Sequence, residues 1–433
     1  MHSDFNYQTK FEKIVEHSSF HLLNDQAQDF VRSKAHEMHF TQQELCKVSD
    51  MALDRLRWKE ACISADWPKI LLHPEPRQNK KRVLAEIQTI HEELKSRTKS
   101  YREFTINDKP LTVKPKLVNR SKRELGLGRC PVASEKTRCC NLLTLDAVQQ
   151  CGFDCSYCSI QSFYHGDQVT FDPDFASKLQ KLRLEDDQLY HIGTGQSSDS
   201  LMWGNHQGVL AALCEFAEQN PNVLLELKTK SRNIGWLLDN PVPKNVICTW
   251  SLNTQVIIDH EEHLTASLNQ RLDAAHAVAK KGTLVGFHFH PIVHYSDWES
   301  HYTDLAHTLV QRFDAGQVAM VSLGTLTYTR SVMKTIRKRN LNSKILQMPL
   351  EECAGKLSYP GHVKIEMFRA VYGALSSWHG RVFFYLCMEP HALWKRVFGY
   401  QYDNNQDFED AMKNAYLDKV KSSIILERSN GQK

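Results

Sequence analysis

Three cysteines on one short loop carry the spacing that most directly indicates chemistry in this sequence. Cys151, Cys155 and Cys158 are separated by three residues and then by two. Thiolates are soft ligands that suit iron–sulfur clusters or zinc. Because only three thiolates lie on the loop, a [4Fe–4S] cluster bound there has one iron without a protein ligand. The spacing therefore predicts a cluster with an open coordination position.

The open iron indicates which cofactor the loop serves. The amine and carboxylate of S-adenosylmethionine can chelate it, and an electron from the cluster then cleaves the sulfonium to give a 5′-deoxyadenosyl radical. A structural zinc site is the first alternative, since Cys139, Cys140 or His165 can supply a fourth ligand. Three unrelated buried cysteines are the second alternative. We interpret most of the remaining cysteines as small buried apolar residues.

The elements that position this loop follow from the apolar pattern along the chain. Residues 1–108 show the three- and four-residue spacing of helices, and residues 109–140 form a basic linker with several Pro and Gly. Strand-like and helical stretches alternate over residues 141–390, and residues 391–433 form a helical tail. The expected strands are residues 142–148, 188–192, 223–227, 246–252, 284–289, 318–323 and 382–387. This α/β alternation predicts a parallel sheet curled into a barrel or part of one, with its active site at the C-terminal ends of the strands.

The cysteine loop after the first strand resembles that of the radical S-adenosylmethionine superfamily. Five later segments resemble the spore photoproduct lyase family in order and spacing. They are GTGQSSDSL (193–201), LELKTK (225–230), WSLN (250–253), AAHAVA (274–279) and GFHFHPIVHY (286–295). The resemblance covers about residues 140–325 and does not extend to the first hundred residues. It implies a partial (β/α)6 radical-SAM barrel, flanked here by an N-terminal helical region and a C-terminal helical extension.

The resemblance also implies which residues bind the cofactors. Cys151, Cys155 and Cys158 are the metal ligands of the [4Fe–4S] cluster. Residues that resemble the S-adenosyl-L-methionine pocket of the family are Ser198, Asp199, Lys230, Ser251 and His290. The Lys230 ammonium is expected to pair with the methionyl carboxylate, and the segment around His290 to contact adenine through its backbone. The family usually has a small side chain at the position of His290, so this histidine is a departure.

Two further positions bear on catalysis. Tyr157 is kept beside the last cysteine of the loop, but Ser159 stands where the family has a second tyrosine. Gln196 falls where the family has the cysteine that donates a hydrogen atom to the product radical. An amide cannot replace that thiol, because its N–H bonds are much stronger than an S–H bond. Another donor is then needed, and Cys214, Cys248 and Cys387 are the candidates.

Charge distribution favours a phosphate-rich partner. The net charge of the chain is +4, yet residues 80–123 hold thirteen basic and five acidic residues, and residues 330–344 hold six basic residues and no acidic one. Such concentrations of positive charge favour a nucleic-acid substrate. Solvated helix faces and a linker are the alternative interpretation. An electron donor such as flavodoxin or ferredoxin is a second expected partner.

Composition limits the possible classes of protein. An apolar content of 41% with 24% charged residues is ordinary for a globular protein, and no apolar run is long enough for a transmembrane helix. The N-terminus lacks the pattern of a secretory signal, so we expect a cytoplasmic enzyme without a membrane partner. The sequence favours a lyase-like enzyme of DNA repair or base modification. A radical enzyme acting on a peptide or small metabolite and a non-catalytic iron–sulfur protein are the alternatives.

Overall fold

The computed structural model of the chain describes residues 2–68, 76–104, 115–130, 136–160, 168–195 and 197–430. The chain forms two units. Residues 1–110 and 328–351 make up the first, and residues 111–327 and 352–433 make up the second. Residues 328–351, which the sequence pattern assigns to the barrel region, thus belong to the unit of the N-terminal helices. The expected limits at residues 108, 140 and 390 stay predictions.

The two units differ in their secondary structure, since the first is mainly helical and the second alternates strands with helices. In chain order the described helices are α1 (His2–Val15), α2 (Asp25–Met38), α3 (Gln42–Trp58), α4 (Pro76–Ser96), α5 (Phe175–Leu179), α6 (Val209–Gln219), α7 (Gly235–Asp239), α8 (Gln255–Glu261), α9 (Leu268–Lys280), α10 (Trp298–Arg312), α11 (Arg330–Lys338), α12 (Gly361–Ala374), α13 (His391–Phe398) and α14 (Asn405–Asn430). The described strands are β1 (Lys116–Asn119), β2 (Leu127–Arg129), β3 (Leu143–Leu145), β4 (Val148–Gln149), β5 (Asp154–Cys155), β6 (Gln168–Phe171), β7 (Tyr190–Thr194), β8 (Val223–Thr229), β9 (Val246–Leu252), β10 (Glu262–His263), β11 (Leu284–Ile292), β12 (Val318–Thr325), β13 (Thr327–Tyr328), β14 (Glu351–Cys353), β15 (Lys356–Ser358) and β16 (Phe383–Leu386).

The first unit confirms the predicted N-terminal helical region. α3 begins with a capping box, in which the Thr41 side chain accepts from the Glu44 N–H and the Glu44 carboxylate accepts from the Thr41 N–H. The box satisfies two N–H groups that would otherwise lack a partner at the helix start. The apolar faces of α1, α2 and α3 meet in one buried cluster that includes Phe11, Val31 and Val48.

Part of the second basic run is structural in the first unit. The guanidinium of Arg337 in α11 makes a two-pronged ion pair with Asp54, with N–O distances of 2.7 and 3.1 Å. The ammonium of Lys344 donates to the carbonyl of Trp58 at 3.1 Å and is largely buried. At least two of the six basic residues in 330–344 therefore hold the first unit together, so for these two neither a phosphate contact nor a solvated helix face describes their role.

The second unit confirms the predicted partial barrel. One sheet has the order β16-β12-β11-β9-β8-β7-β3-β2. Six neighbouring strands of this sheet are parallel, namely β12, β11, β9, β8, β7 and β3. At one edge β16 adds a seventh parallel strand, and at the other edge β2 adds an antiparallel strand. All residues of β9 and β12 are buried, as expected for strands that are covered on both faces.

Helices complete the second unit around the sheet. The predicted C-terminal helical extension is present as α13 and α14. The expected strand at residues 142–148 is divided into β3 and β4, and the expected strand at 188–192 begins and ends two residues later as β7. Throughout the described ranges, no helix has both the length and the apolar character required to cross a membrane.

Candidate active site

The cysteine loop follows β4 and is held against another part of the second unit. Cys155 lies in β5, which pairs antiparallel with β10 so that Cys155 opposes Glu262. Gly152 packs so tightly that a Cβ atom there would lie 2.3 Å from the terminal methyl of Met202. A side chain at position 152 would thus require the Met202 side chain to move.

The three thiols share one small region of this loop. Cys155 is buried, and Cys151 and Cys158 are half-buried. Burial raises the pKa of the Cys151 and Cys155 thiols, and both interact electrostatically with Cys158. Among the described residues, no three His, Cys, Asp or Glu side chains are close enough to hold a single metal ion. A [4Fe–4S] cluster binds each cysteine through a different iron, so its ligands do not need to meet at one point.

The possible fourth zinc ligands lie in other surroundings. The Cys139 N–H donates to the Asn405 side chain at 3.1 Å, which places this cysteine beside the start of α14. Cys140 interacts electrostatically with Cys387, the residue after β16. His165 lies outside the described residues.

Asp199 organises the loop after β7. One carboxylate oxygen accepts from the N–H groups of Leu201 and Met202 at 3.1 and 2.8 Å and from the Thr229 hydroxyl at 2.7 Å. The other oxygen accepts from the Lys230 N–H at 2.6 Å. Burial raises the pKa of Asp199, while these hydrogen bonds act in the opposite direction. The carboxylate therefore fixes the backbone of two segments that meet at the C-terminal ends of β7 and β8.

Ser198 links the same loop to the cysteine loop. Its hydroxyl donates to the carbonyl of Gln150 at 2.7 Å, and Gln150 directly precedes Cys151. The structure thus brings Ser198 and Asp199 to the expected side of the barrel. Gln196, the other residue of this loop that the sequence pattern indicates, lies outside the described residues.

Lys230 connects the strand ends to the cysteine loop. Its ammonium donates to the Ser251 hydroxyl at 2.6 Å and lies 3.5 Å from the Glu262 carboxylate. It also lies 5.7 Å from the centre of the ring of Tyr157, which stands between Cys155 and Cys158 in the loop. Three residues predicted from separate motifs, Tyr157, Lys230 and Ser251, therefore meet at one point.

Glu262 is part of this site although no sequence motif indicates it. Its carboxylate accepts from the Tyr157 hydroxyl, from Asn253 at 3.2 Å and from Arg271 at 2.5 Å. Burial alone would raise the pKa of Glu262, but the positive charges of Arg271 and Lys230 and the hydrogen bonds lower it to about 2. Glu262 therefore remains a carboxylate that holds Tyr157 and Lys230 in place.

His290 approaches the site through its backbone. Its carbonyl accepts from the Ser251 hydroxyl at 3.2 Å, and its ring nitrogen Nε2 lies 3.0 Å from the Ser322 hydroxyl. The ring packs against Gly324, where an added Cβ would lie 3.0 Å from it and would crowd the ring. The side chain and the carbonyl of His290 thus take part in different contacts.

The three thiols considered as alternatives to Gln196 differ in position. Cys214 in α6 and Cys248 in β9 are buried and interact with each other. Cys387 follows the C-terminal end of β16, and its carbonyl would lie 3.5 Å from a Cβ at Gly324. Of these three cysteines, Cys387 is therefore the one that lies, like His290, at the C-terminal ends of the strands.

Sequence similarity to known proteins identifies the family. A family model for spore photoproduct lyase matches residues 145–369. The spore photoproduct lyase of Clostridium acetobutylicum is 22% identical over 222 residues, which cover 50% of this chain and 64% of that protein. The enzyme of a Geobacillus species is 24% identical over 202 residues, which cover 45% of this chain and 59% of that protein. The chain thus matches less than two thirds of the length of either relative.

Solved structures show the same fold. A spore photoproduct lyase complexed with dinucleoside spore photoproduct superimposes with a TM-score of 0.54 at 20% identity, over 63% of this chain and 82% of that one. A mutant spore photoproduct lyase with bound AdoMet and dinucleoside spore photoproduct gives a TM-score of 0.52 with the same identity and coverage. At this level of identity the likeness establishes the fold alone.

Proposed function

The chain belongs to the spore photoproduct lyase family, and from that premise we propose that it is a radical S-adenosylmethionine enzyme that acts on nucleic acid. The observation that carries the proposal is the meeting of Lys230, Ser251 and Tyr157 beside the cysteine loop. A cluster with a purely structural role has no use for a lysine ammonium held next to its ligands. The placement of Lys230 therefore argues against a non-catalytic iron–sulfur protein.

The thiols of Cys151, Cys155 and Cys158 are the proposed ligands of a [4Fe–4S] cluster. Their donor chemistry fits this group, because soft thiolates favour iron–sulfur clusters and the loop supplies three of them. When bound, the cluster supplies the electron that cleaves S-adenosylmethionine to a 5′-deoxyadenosyl radical. Cys155 is buried and Cys151 is half-buried, and burial raises the pKa of both thiols.

The residues around Lys230 are the proposed binding site of S-adenosylmethionine. The Lys230 ammonium is directed by Ser251 and Glu262 and can pair with the methionyl carboxylate. Asp199 contributes by fixing the backbone of Lys230, and Ser198 by joining this loop to the cysteine loop. The backbone of His290 is the proposed contact for adenine.

The proposed substrate is a nucleic-acid lesion or base. The solved neighbours include a complex with dinucleoside spore photoproduct, and exposed basic residues of the second unit, such as Arg120 and Arg123, can contact phosphate. Flavodoxin or ferredoxin is the proposed electron donor. A peptide or small metabolite is the alternative substrate, and Gln196 is the residue whose identity most favours a reaction different from that of the relatives.

The cluster is tested by analysis of iron and sulfide in anaerobically reconstituted protein. About four irons and four sulfides per chain are expected, and alanine at position 151, 155 or 158 should abolish their binding because each thiolate ligates one iron. Cys46→Ala is the matched control and should keep the full iron content. Stoichiometric zinc without iron in anaerobically purified protein would contradict the proposal.

The substrate class is tested by the yield of 5′-deoxyadenosine. Reduced protein and S-adenosylmethionine are incubated with DNA that contains the spore lesion, with undamaged single-stranded DNA, or with a peptide mixture. The proposal predicts a yield above background with one of the nucleic acids and not with peptides. A yield raised by peptides alone would favour the alternative.

A further inference from the structure

A continuous chain of hydrogen bonds crosses the interior of the barrel behind His290. The Nε2 atom of His290 lies 3.0 Å from the Ser322 hydroxyl, which lies 2.6 Å from Nδ1 of His288. Nε2 of His288 lies 2.8 Å from one oxygen of Glu226, whose other oxygen lies 2.9 Å from Nε2 of His191. The chain joins side chains of β7, β8, β11 and β12, and all of its members except His290 are buried.

The carboxylate at the centre sets the direction of the chain. Burial would raise the pKa of Glu226, but the hydrogen bonds from His191 and His288 hold it well below its usual value. An ionised carboxylate only accepts hydrogen bonds. The Nε2 atoms of His191 and His288 must therefore both carry hydrogen.

The same reasoning extends from His288 to Ser322. Burial and the charge of Lys228 lower the pKa of His288 to about 4, so its ring is neutral near pH 7. A neutral imidazole with hydrogen on Nε2 has an unprotonated Nδ1, which accepts a hydrogen bond. The Ser322 hydroxyl donates its single hydrogen to that Nδ1 atom. It is then left only as an acceptor toward His290.

The tautomer of His290 follows from this acceptor. Nε2 of His290 must carry the hydrogen that is donated to Ser322. Burial and the charge of Lys228 hold the pKa of His290 well below its usual value, so its ring is neutral. The Nδ1 atom of His290 is thus an unprotonated acceptor.

The position of this nitrogen makes it available to a ligand. Nδ1 of His290 makes no hydrogen bond to any described residue, and His290 is the partly exposed member of the chain. The ring lies near the C-terminal ends of β11 and β12, against Gly324. Its backbone carbonyl contacts Ser251 of the proposed cofactor pocket. The acceptor therefore stands where the barrel opens next to that pocket.

We propose that Nδ1 of His290 accepts a hydrogen bond from an N–H group of the bound substrate, with its tautomer fixed by Ser322, His288 and Glu226. The inference rests on the proposed function, under which the donor is the imide N3–H of a pyrimidine in the lesion. The fixed tautomer makes the site prefer an N–H group over a carbonyl oxygen at this position, because an unprotonated Nδ1 can accept a hydrogen bond but cannot donate one. His290 is the contacting residue, and Ser322 is a positioning residue.

The tautomer is tested by NMR of the full chain labelled with ¹⁵N-histidine. The His290 signals are assigned by their loss in His290→Asn, and they should report a neutral ring with hydrogen on Nε2 at pH 7. Ser322→Ala should convert His290 into a mixture of tautomers, whereas Ser322→Thr, which keeps a hydroxyl, should not. Hydrogen on Nδ1 in the wild type, or tautomers that do not respond to Ser322→Ala, would overturn the inference.

The ligand contact is tested by binding of the dinucleoside spore photoproduct and of its N3-methylated counterpart. Methylation removes the N–H donor, so it should weaken binding to the wild type about tenfold, the effect of one hydrogen bond in such a site. His290→Ala should bind both ligands equally, and His290→Asn, which can place an amide oxygen near the Nδ1 position, should retain part of the preference. An equal weakening by methylation in wild type and His290→Ala would overturn the contact. If neither ligand binds, the proposed function and the pyrimidine donor fall together, while the tautomer stands or falls by the NMR result.

Discussion

Lys230 is the residue on which the proposed cofactor pocket depends most. Lys230→Met keeps most of the side-chain volume but removes the charge, so binding of S-adenosylmethionine should weaken by about 1.5–3 kcal/mol, as for loss of a hydrogen bond to a charged group. The dissociation constant is measured on reconstituted protein by equilibrium dialysis. Lys280→Met, at an exposed position at the end of α9, is the matched control and should leave it unchanged. An unchanged constant in Lys230→Met as well would remove Lys230 from the pocket.

Gln196 leads to a prediction about the reaction itself. An amide stands where the family has the hydrogen-donating cysteine, so the wild type should repair the spore thymine lesion poorly and yield adducts with external reductant in place of clean thymine. Gln196→Cys should restore part of the repair if the pocket accepts the lesion, and Gln196→Ser should not. Thymine products are quantified under reducing, oxygen-free conditions. Efficient, clean repair by the wild type would show that another group, such as Cys387, supplies the hydrogen atom.

Single residues differ in how far the sequence reveals them. Cys151, Cys155 and Cys158 stand out in the sequence because iron–sulfur chemistry demands their type and spacing within one loop, and their role as cluster ligands stays a prediction. Glu262 does not stand out, because its role arises only when Tyr157, 105 residues earlier, and Arg271 of α9 converge on its carboxylate. The same holds for His288 and His290, whose alternation in β11 predicts a shared face but not the Glu226 and Ser322 partners that fix their tautomers.

At the level of elements, the sequence revealed long buried strands better than short ones. β8, β9, β11 and β12 are apolar runs that could be located from pattern alone. Two-residue pairings such as β5 with β10 have no sequence pattern, since they depend on how distant loops meet. α11 shows a different limit of prediction from the sequence. Its basic face predicts a charged surface, and only the fold shows that Asp54 of α3 lies opposite.

α11 therefore leads to a prediction about stability. Arg337→Met should lower the free energy of unfolding of the first unit by about 3–5 kcal/mol, because it leaves the buried Asp54 carboxylate without its ion pair. Urea unfolding followed by circular dichroism measures the change. Lys338→Ala, at the neighbouring exposed position, should change the same quantity by less than about 0.5 kcal/mol. Equal effects of the two substitutions would show that the Arg337 pair does not stabilise the unit.

At the scale of the whole molecule, the two basic segments have different roles. In residues 330–344, Arg337 and Lys344 are engaged within the first unit. In residues 80–123, the basic residues of the second unit are more accessible, since Lys116, Arg120 and Arg123 are all exposed. The net charge of +4 conceals this difference. The basic stretch around β1 is thus the better candidate for binding phosphate.

This assignment predicts how binding to nucleic acid depends on salt. Each basic side chain that neutralises a phosphate releases counterions, so the affinity for duplex DNA should fall linearly on a plot of log K against log salt concentration. Replacing Lys116, Arg120 and Arg123 by Gln should reduce the slope by about 0.9 for each phosphate that is no longer neutralised, and binding should weaken similarly for different sequences, since these side chains do not read bases. Filter binding across a salt series measures the slope.

The matched triple variant at Lys181, Lys280 and Lys281, which are also exposed residues of the second unit, changes the net charge equally and should leave the slope intact. If both triple variants lower the slope alike, only the total charge matters and β1 has no special role; if neither does, these residues are solvated surface.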